Sequence, residues 1–294
     1  MPFNSDNIPS RVVEAARQRR LIPLIGAGVS RQAGSDFPTW PELLERLRVE
    51  AFRAGYIDEQ EASEMKGLQD RGQYLMVAEA LRASFPIDEY ETLLESFFDP
   101  PNVRPAEIHR TLFKLHPPLI MTTNYDTLLE DAYAMEYQQA ATVYTYRDAP
   151  VIQRHLQMSR NIHRPVIFKL HGSIDEPAEI ILSERDYRKL LYQNPGYRSV
   201  LSAIFITHVV VTLGFSFKDR ELVLLLESLR DSLKHRSSPD FVFMPSDQVG
   251  NVEAKRLRED FGIQVIKYEP SQGHPELVEF ITALIEKSQS GSSE

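Results

Sequence analysis

The chain has no cysteine among its 294 residues. That absence excludes disulfides, thiolate nucleophiles, iron–sulfur clusters and every cysteine-ligated zinc site. It also removes the secreted disulfide scaffolds, and a chain of this length can bury a core without such staples. An excess of positive charge is missing too. Asp and Glu number 42 against 33 Lys and Arg, a formal charge of −9. Unaided nucleic-acid binding needs a basic footprint, so no direct nucleic-acid partner is expected. Long apolar runs are absent as well. Pieces such as HVVVTLGF at 208–215 are of strand length, well short of the roughly 18 residues of a membrane span. The opening MPFNSDNIPS carries Asp6 and no basic-then-apolar layout. Neither a signal peptide nor membrane association is expected, and the expected compartment is the cytoplasm.

What the sequence does carry is a series of short apolar runs. They are LIPLIGAG (21–28), PLIMTTNYD (118–126), VIFKLHGSI (166–174), HVVVTLGFS (208–216), DFVFMPS (240–246) and IQVIKYE (263–269). Their β-branched content and the turn residues at their ends read as buried parallel strands. Helical spacing lies between most of them, through Leu222, Leu225, Leu226 and Leu229 in 219–234, and through Leu277, Phe280, Ile281 and Leu284 in 276–287. Strand and helix in alternation predict an α/β domain with a parallel sheet.

Residues 41–116 break the alternation with helix after helix, and Pro41 and Pro105 stand where helix starts tolerate proline. The expected layout is one catalytic domain over 1–294. An α/β core comes from 10–40 and 117–288, a helical insert occupies 41–116, and a disordered tail covers 289–294. The polar, tyrosine-bearing stretch 134–165 carries no assignable pattern.

After the first run, Gly26, Gly28 and Gly34 allow close approach of the backbone to a ligand. The spacing is neither G-x-G-x-x-G, since Gly34 comes too late, nor a P-loop, since no G-K-[ST] follows. Phosphate binding and a plain tight turn both remain open on this motif. Other runs end in Thr122, Thr123, Asn124 and Asp126, in His171, Gly172 and Ser173, and in Gly214, Ser216 and Asp219. Ligand crevices of open α/β sheets lie at the carboxyl ends of the strands. Four such endings argue for a shared site, with helix capping by Ser216 or Asp219 as the ordinary alternative. His171 directly follows a buried run and precedes a glycine. The other seven histidines, His274 among them, lack that context, and no histidine metal site is expected.

These residues resemble the sirtuin-like NAD-consuming family. GAGVS at 26–30 matches its GAGxS loop, TTNYD at 122–126 stands in place of T-Q-N-x-D, and KLHGSI at 169–174 matches the histidine-glycine motif. LGFSFKD at 213–219 is similar to the later glycine-serine strand end. The resemblance spans roughly residues 20–270 and implies a Rossmann-like parallel sheet with the helical insert in place of the zinc ribbon. It also implies roles. Gly26, Ala27, Gly28 and Ser30 would line the pyrophosphate and nearby ribose. Asn124 would sit beside the nicotinamide ribose, and Asp126 would hold the carboxamide. His171 would be the general base at a ribose hydroxyl. Gly214, Phe215 and Ser216 would meet the adenosine ribose, with Asp219 positioning that loop. Thr123 replaces the family's glutamine. Asp36 and Phe37 are loosely similar to a proline-aspartate-phenylalanine stretch of the deacylating members.

Protein-deacylating sirtuins carry a four-cysteine zinc ribbon, which this chain cannot build. That departure and the TTNYDTLLE wording resemble the bacterial anti-phage branch, as in the NAD-degrading subunits of Thoeris. The resemblance then implies that NAD is a substrate, hydrolysed without metal to ADP-ribose and nicotinamide to deplete the infected cell. Two alternatives stand beside it: a zinc-free NAD-dependent deacylase, and a non-catalytic NAD or ADP-ribose sensor that regulates a partner. With the catalytic domain accounted for, no room for a separate sensor domain is expected in the 294 residues. Restraint is therefore expected from homo-oligomer formation, or from a partner such as a HerA-type hexameric ATPase.

Overall fold

The computed structural model describes residues 3–34, 36–158, 164–215 and 240–290. Its centre is a sheet of β1 (Leu21–Ile25), β2 (Leu119–Thr122), β3 (Val143–Thr145), β4 (Val166–Lys169), β5 (Val209–Leu213), β6 (Asp240–Pro245) and β7 (Ile263–Tyr268). Among the described residues these seven strands are all parallel, in the order β3-β4-β2-β1-β5-β6-β7. The fold is α/β and Rossmann-like.

The central strands are buried along their whole length, as a parallel sheet covered on both faces requires. Alternation divides their side chains between two cores. Ile22 and Leu24 of β1 face one side with Met121, Phe168 and Val242, under α9 (Ala149–Met158), α10 (Glu184–Gln193), α11 (Pro195–Thr207) and α12 (Asn251–Phe261). Leu21 and Ile25 face the other with Ile120, Ile167 and Phe241. That second face is covered by α1 (Ser10–Arg17), α7 (Glu107–Lys114), α8 (Leu128–Tyr137) and α13 (Glu276–Gln289). Burial of each large aliphatic side chain contributes about 1.5–3 kcal/mol.

Between β1 and α7 the chain forms a single helical turn, α2 (Ala27–Ser30), then α3 (Trp40–Arg53), α4 (Glu59–Asp70), α5 (Tyr74–Ser84) and α6 (Ile87–Phe98). Pro41 stands in the first turn of α3, where its missing N–H costs nothing. The start of α4 is fixed reciprocally: the Glu61 amide donates to Asp58 (2.8 Å) and the Asp58 amide to Glu61 (2.9 Å). Helices α3 to α6 build a third core around Leu43, Leu47, Val77, Leu81 and Leu94. Tyr125, Ile174, Ile180 and Leu182 join it from the sheet's carboxyl edge, so the insert is anchored beside the strand ends. Helix α7 packs on the sheet face instead, through Ile108, Leu112 and Phe113.

Strand β3 falls in the stretch that carried no readable pattern. Its residues are half-buried, at the edge of the sheet. The helical spacing at 219–234 lies outside the described residues, as do 291–294 of the tail, while Gln289 closes α13.

Candidate active site

Register decides which residues reach the crevice. Ile25 pairs with Thr122 on one side and Leu213 on the other, and Thr122 pairs with Lys169. The residues after this row leave the sheet at one edge. They are Gly26 after β1, Thr123 and Asn124 after β2, Leu170 and His171 after β4, and Gly214 and Phe215 after β5. Strand β1 stands between β2 and β5, where the strand order reverses, and open α/β sheets bind ligands at such a switch point.

A cavity of about 500 Å³ opens there, within the size range of small-molecule sites. Ala27, Gly28, Ser30, Phe37, Thr123, Asn124, Asp126, His171, Gly214 and Phe215 all line it. Gly26 lies behind the wall, donating its amide to the Leu213 carbonyl at 2.9 Å. Asp36 is exposed in the turn before Phe37 and is not among the lining residues. Ser216 and Asp219 lie outside the described residues.

The turns after β1 and β5 interlock through their backbones. The Gly28 amide donates to the Gly214 carbonyl at 2.8 Å. A Cβ on Gly28 would lie 2.9 Å from that oxygen, and one on Gly214, at φ +69°, would lie 2.6 Å from the Val29 nitrogen. Only glycine meets both the contact and the left-handed backbone.

A chain of hydrogen bonds crosses the cavity floor. Ser30 Oγ donates to Asp126 Oδ2 at 2.6 Å and accepts from Asn124 Nδ2 at 2.7 Å. Asn124 Nδ2 also donates to the Gly26 carbonyl at 3.0 Å. Both amide protons of Asn124 are thereby committed, and its Oδ1 is the atom left to offer a ligand. Thr122 Oγ1 accepts the Asn124 amide and donates to the Ile25 carbonyl, each at 3.0 Å. The turn after β2 is therefore pinned to β1. Asp126 Oδ1 accepts the Leu128 amide at 3.1 Å, at the start of α8.

Lys169 lies fully buried beneath these turns. Its Nζ lies within reach of the carbonyls of Tyr125 (3.2 Å) and Asp126 (2.7 Å), of Ser173 Oγ (2.8 Å) and of Glu130 Oε1 (2.6 Å). A buried ammonium is tolerable only with such a shell of oxygens. One amine thus ties the turn after β2 to the turn after β4. Burial pushes the Glu130 carboxyl up, against the pull of Lys169.

His171 is 4% exposed and meets Tyr187 of α10 edge-on, ring centroids 5.2 Å apart. The Tyr187 hydroxyl lies 3.2 Å from Nδ1. Burial lowers the pKa of His171 to about 3, so the imidazole is neutral at neutral pH.

A family model described as SIR2-like domain matches residues 118–266, about half of the chain. The chain belongs to the SIR2-like domain family. It is 24% identical over 261 residues to defense-associated sirtuin 2 of Bacillus subtilis, covering 87% of this chain and 24% of that protein. It is 27% identical over 164 residues to NAD(+) hydrolase ThsA of Bacillus cereus (strain MSX-D12), covering 56% and 32% respectively. It is 27% identical over 225 residues to NAD(+) hydrolase ThsA of Acinetobacter baumannii (strain 532279), covering 75% and 41%. The SIR2-like chain thus spans about a quarter to two fifths of the length of these relatives.

Several wall residues escaped the sequence reading. Trp40 and Tyr74, from α3 and α5, stand 5.9 Å apart and bring the insert onto the cavity. No local spacing announces that closure. Tyr268 and His274 also line the cavity, 3.1 Å apart. This corrects the reading of His274 as lacking context, because β7 ends at the same edge as β1. The strand-end rule extended to β6 and β7 reaches Pro245 and Tyr268. Among the described residues no helix is long and apolar enough to cross a membrane, and no three His, Cys, Asp or Glu side chains converge as a metal cluster.

The buried histidines make stability sensitive to acid. Burial lowers His109 to about 4 and His171 to about 3, and burial with the nearby Arg20 lowers His208 to about 4. In the unfolded chain histidine titrates near 6.5. Below that pH the unfolded state binds protons that the folded state refuses, so stability falls as pH falls. It is fully present above about pH 6.5 and declines toward pH 4, by on the order of several kcal/mol. Urea midpoints at pH 7.5 and pH 5 check this, and equal midpoints would contradict it.

Proposed function

We propose that this cavity hydrolyses NAD to ADP-ribose and nicotinamide. The carrying observation is that Asn124, both amide protons tied to Gly26 and Ser30, shares one cavity wall with His171. The interlocked Gly28 and Gly214 hold the two turns that border the cavity against each other, since a Cβ on either would meet the facing turn. Family membership and the ThsA relatives named NAD(+) hydrolase support the substrate.

Hydrolysis breaks the bond between ribose C1′ and the pyridinium nitrogen. The bonding electrons go to neutral nicotinamide, and water adds at C1′ with loss of one proton. In this reading Asn124 Oδ1 accepts from water or a ribose hydroxyl and orients it. His171 is the base at a ribose hydroxyl in this reading, with its proton affinity reduced by burial. Asp126 keeps lone pairs for the carboxamide beyond those used by Ser30 and Leu128. Ala27, Gly28 and Ser30 stand on the diphosphate side, with Gly26 behind them, while Gly214 and Phe215 meet the adenosine ribose. The cavity wall supplies fixed dipoles where oxocarbenium charge develops.

The biological reading that follows is cofactor depletion in anti-phage defence, restrained by self-assembly or by a partner such as a HerA-type ATPase. A purified chain that stays monomeric and fully active alone would count against that restraint. The activity itself is tested by nicotinamide release from NAD with and without an acetyl-lysine peptide. Release independent of peptide is expected. A strict need for peptide marks a deacylase, and binding without release marks a sensor.

A further inference from the structure

The roles above leave one charged group on the cavity wall without a task. Arg31 directly follows Ser30 at the end of α2, and among the described lining residues it is the one arginine or lysine. Its Nη1 lies 2.5 Å from Glu42 Oε2, and that same oxygen accepts the Thr39 amide at 2.7 Å. Glu42 stands in the first turn of α3, so the pair joins the glycine turn to the helical insert. Both side chains keep over a third of their surface in solvent, 36% and 46%, and an ion pair of that kind is weakly held. A guanidinium binds phosphate oxygens in a planar fork. A diphosphate offers two negative charges where Glu42 offers one, inside a cavity that screens less than open water does.

We propose that Arg31 is the diphosphate-recognising residue of this cavity and that Glu42 competes with the ligand for it. Binding of a dinucleotide-type diphosphate transfers Arg31 from Glu42 to the phosphates and releases a tie between the glycine turn and the insert. This rests on the reading of the cavity as an NAD site. The competition has a signature that a structural salt bridge lacks. Removing either partner of a structural pair acts in the same direction, whereas here the two removals act in opposite directions.

The test is calorimetric titration of the whole chain with ADP-ribose, and separately with adenosine, for wild type, Arg31→Gln, Arg31→Lys and Glu42→Gln. Glutamine at position 42 still accepts the Thr39 amide, so the start of α3 is kept. Arg31→Gln is expected to weaken ADP-ribose binding roughly 10–100-fold, as loss of a charge-assisted pair does. Arg31→Lys falls between, keeping the charge without the fork. Glu42→Gln tightens ADP-ribose binding about 2–5-fold, by the weight of an exposed pair. Adenosine binding moves in none of them. Unchanged ADP-ribose affinity in Arg31→Gln overturns the recognition, and weaker or unchanged affinity in Glu42→Gln overturns the competition. A wild-type chain that binds neither ADP-ribose nor NAD overturns the underlying reading of the cavity, a result distinct from both.

Discussion

Asn124→Ala and His171→Ala each lower NAD cleavage by about 10²–10⁴-fold, the weight of an oriented hydrogen bond or a positioned base in a transition state. The fold survives both changes. Asn124 gives up hydrogen bonds to Gly26 and Ser30, a loss of about 1–3 kcal/mol against the roughly 5–15 kcal/mol of a typical domain. His171 gives up its edge contact with Tyr187 and leaves a small void, a loss of similar size. Initial rates beside a thermal melt of each variant check this. A folded variant that turns over NAD at the wild-type rate would remove that residue from the chemistry. Tyr187→Phe separates two explanations for His171. It keeps the ring contact and deletes the hydroxyl 3.2 Å from Nδ1, so a changed pH profile with unchanged melting would trace the effect to the imidazole.

Lys169→Met costs about 3–5 kcal/mol, the range for breaking a buried ion pair by removing one partner. The loss follows from what the amine holds. Glu130 is left with an uncompensated buried charge, and the Tyr125 and Asp126 carbonyls lose their donor. Adding Glu130→Leu recovers much of the stability, since the buried carboxylate goes with its partner. Activity stays low in the double variant, because the clamp on the Tyr125–Asp126 turn is still missing. Urea unfolding with NAD turnover for the single and double variants checks both halves. Full activity in the double variant would reduce Lys169 to a structural role.

Different physical scales made different parts of the molecule legible. Central strands announce themselves because burial on both faces forces runs such as LIPLI and VVVTL. The edge strand Val143–Thr145 is half-exposed and carries no such run. Strand ends gave the glycine turn, Asn124, Asp126, His171 and Gly214, because parallel topology collects carboxyl ends at one edge whatever the loops do. Lys169 was hidden by its own neighbours. Within VIFKL it reads as part of a strand, and its partner Glu130 stands 39 positions away on helix α8. Trp40 and Tyr74 escaped for a related reason. Amphipathic spacing shows that the insert is helical, and not which part of it meets the cavity. Asp36 looked like a site residue through resemblance alone, and its turn leaves it exposed beside the buried Phe37.

The most direct test is product analysis with NAD as the only reactant and the purified chain as the only protein. Equal amounts of ADP-ribose and nicotinamide, lost together in Asn124→Ala, are the predicted result. Intact NAD after prolonged incubation, or nicotinamide without matching ADP-ribose, would contradict hydrolysis at this cavity.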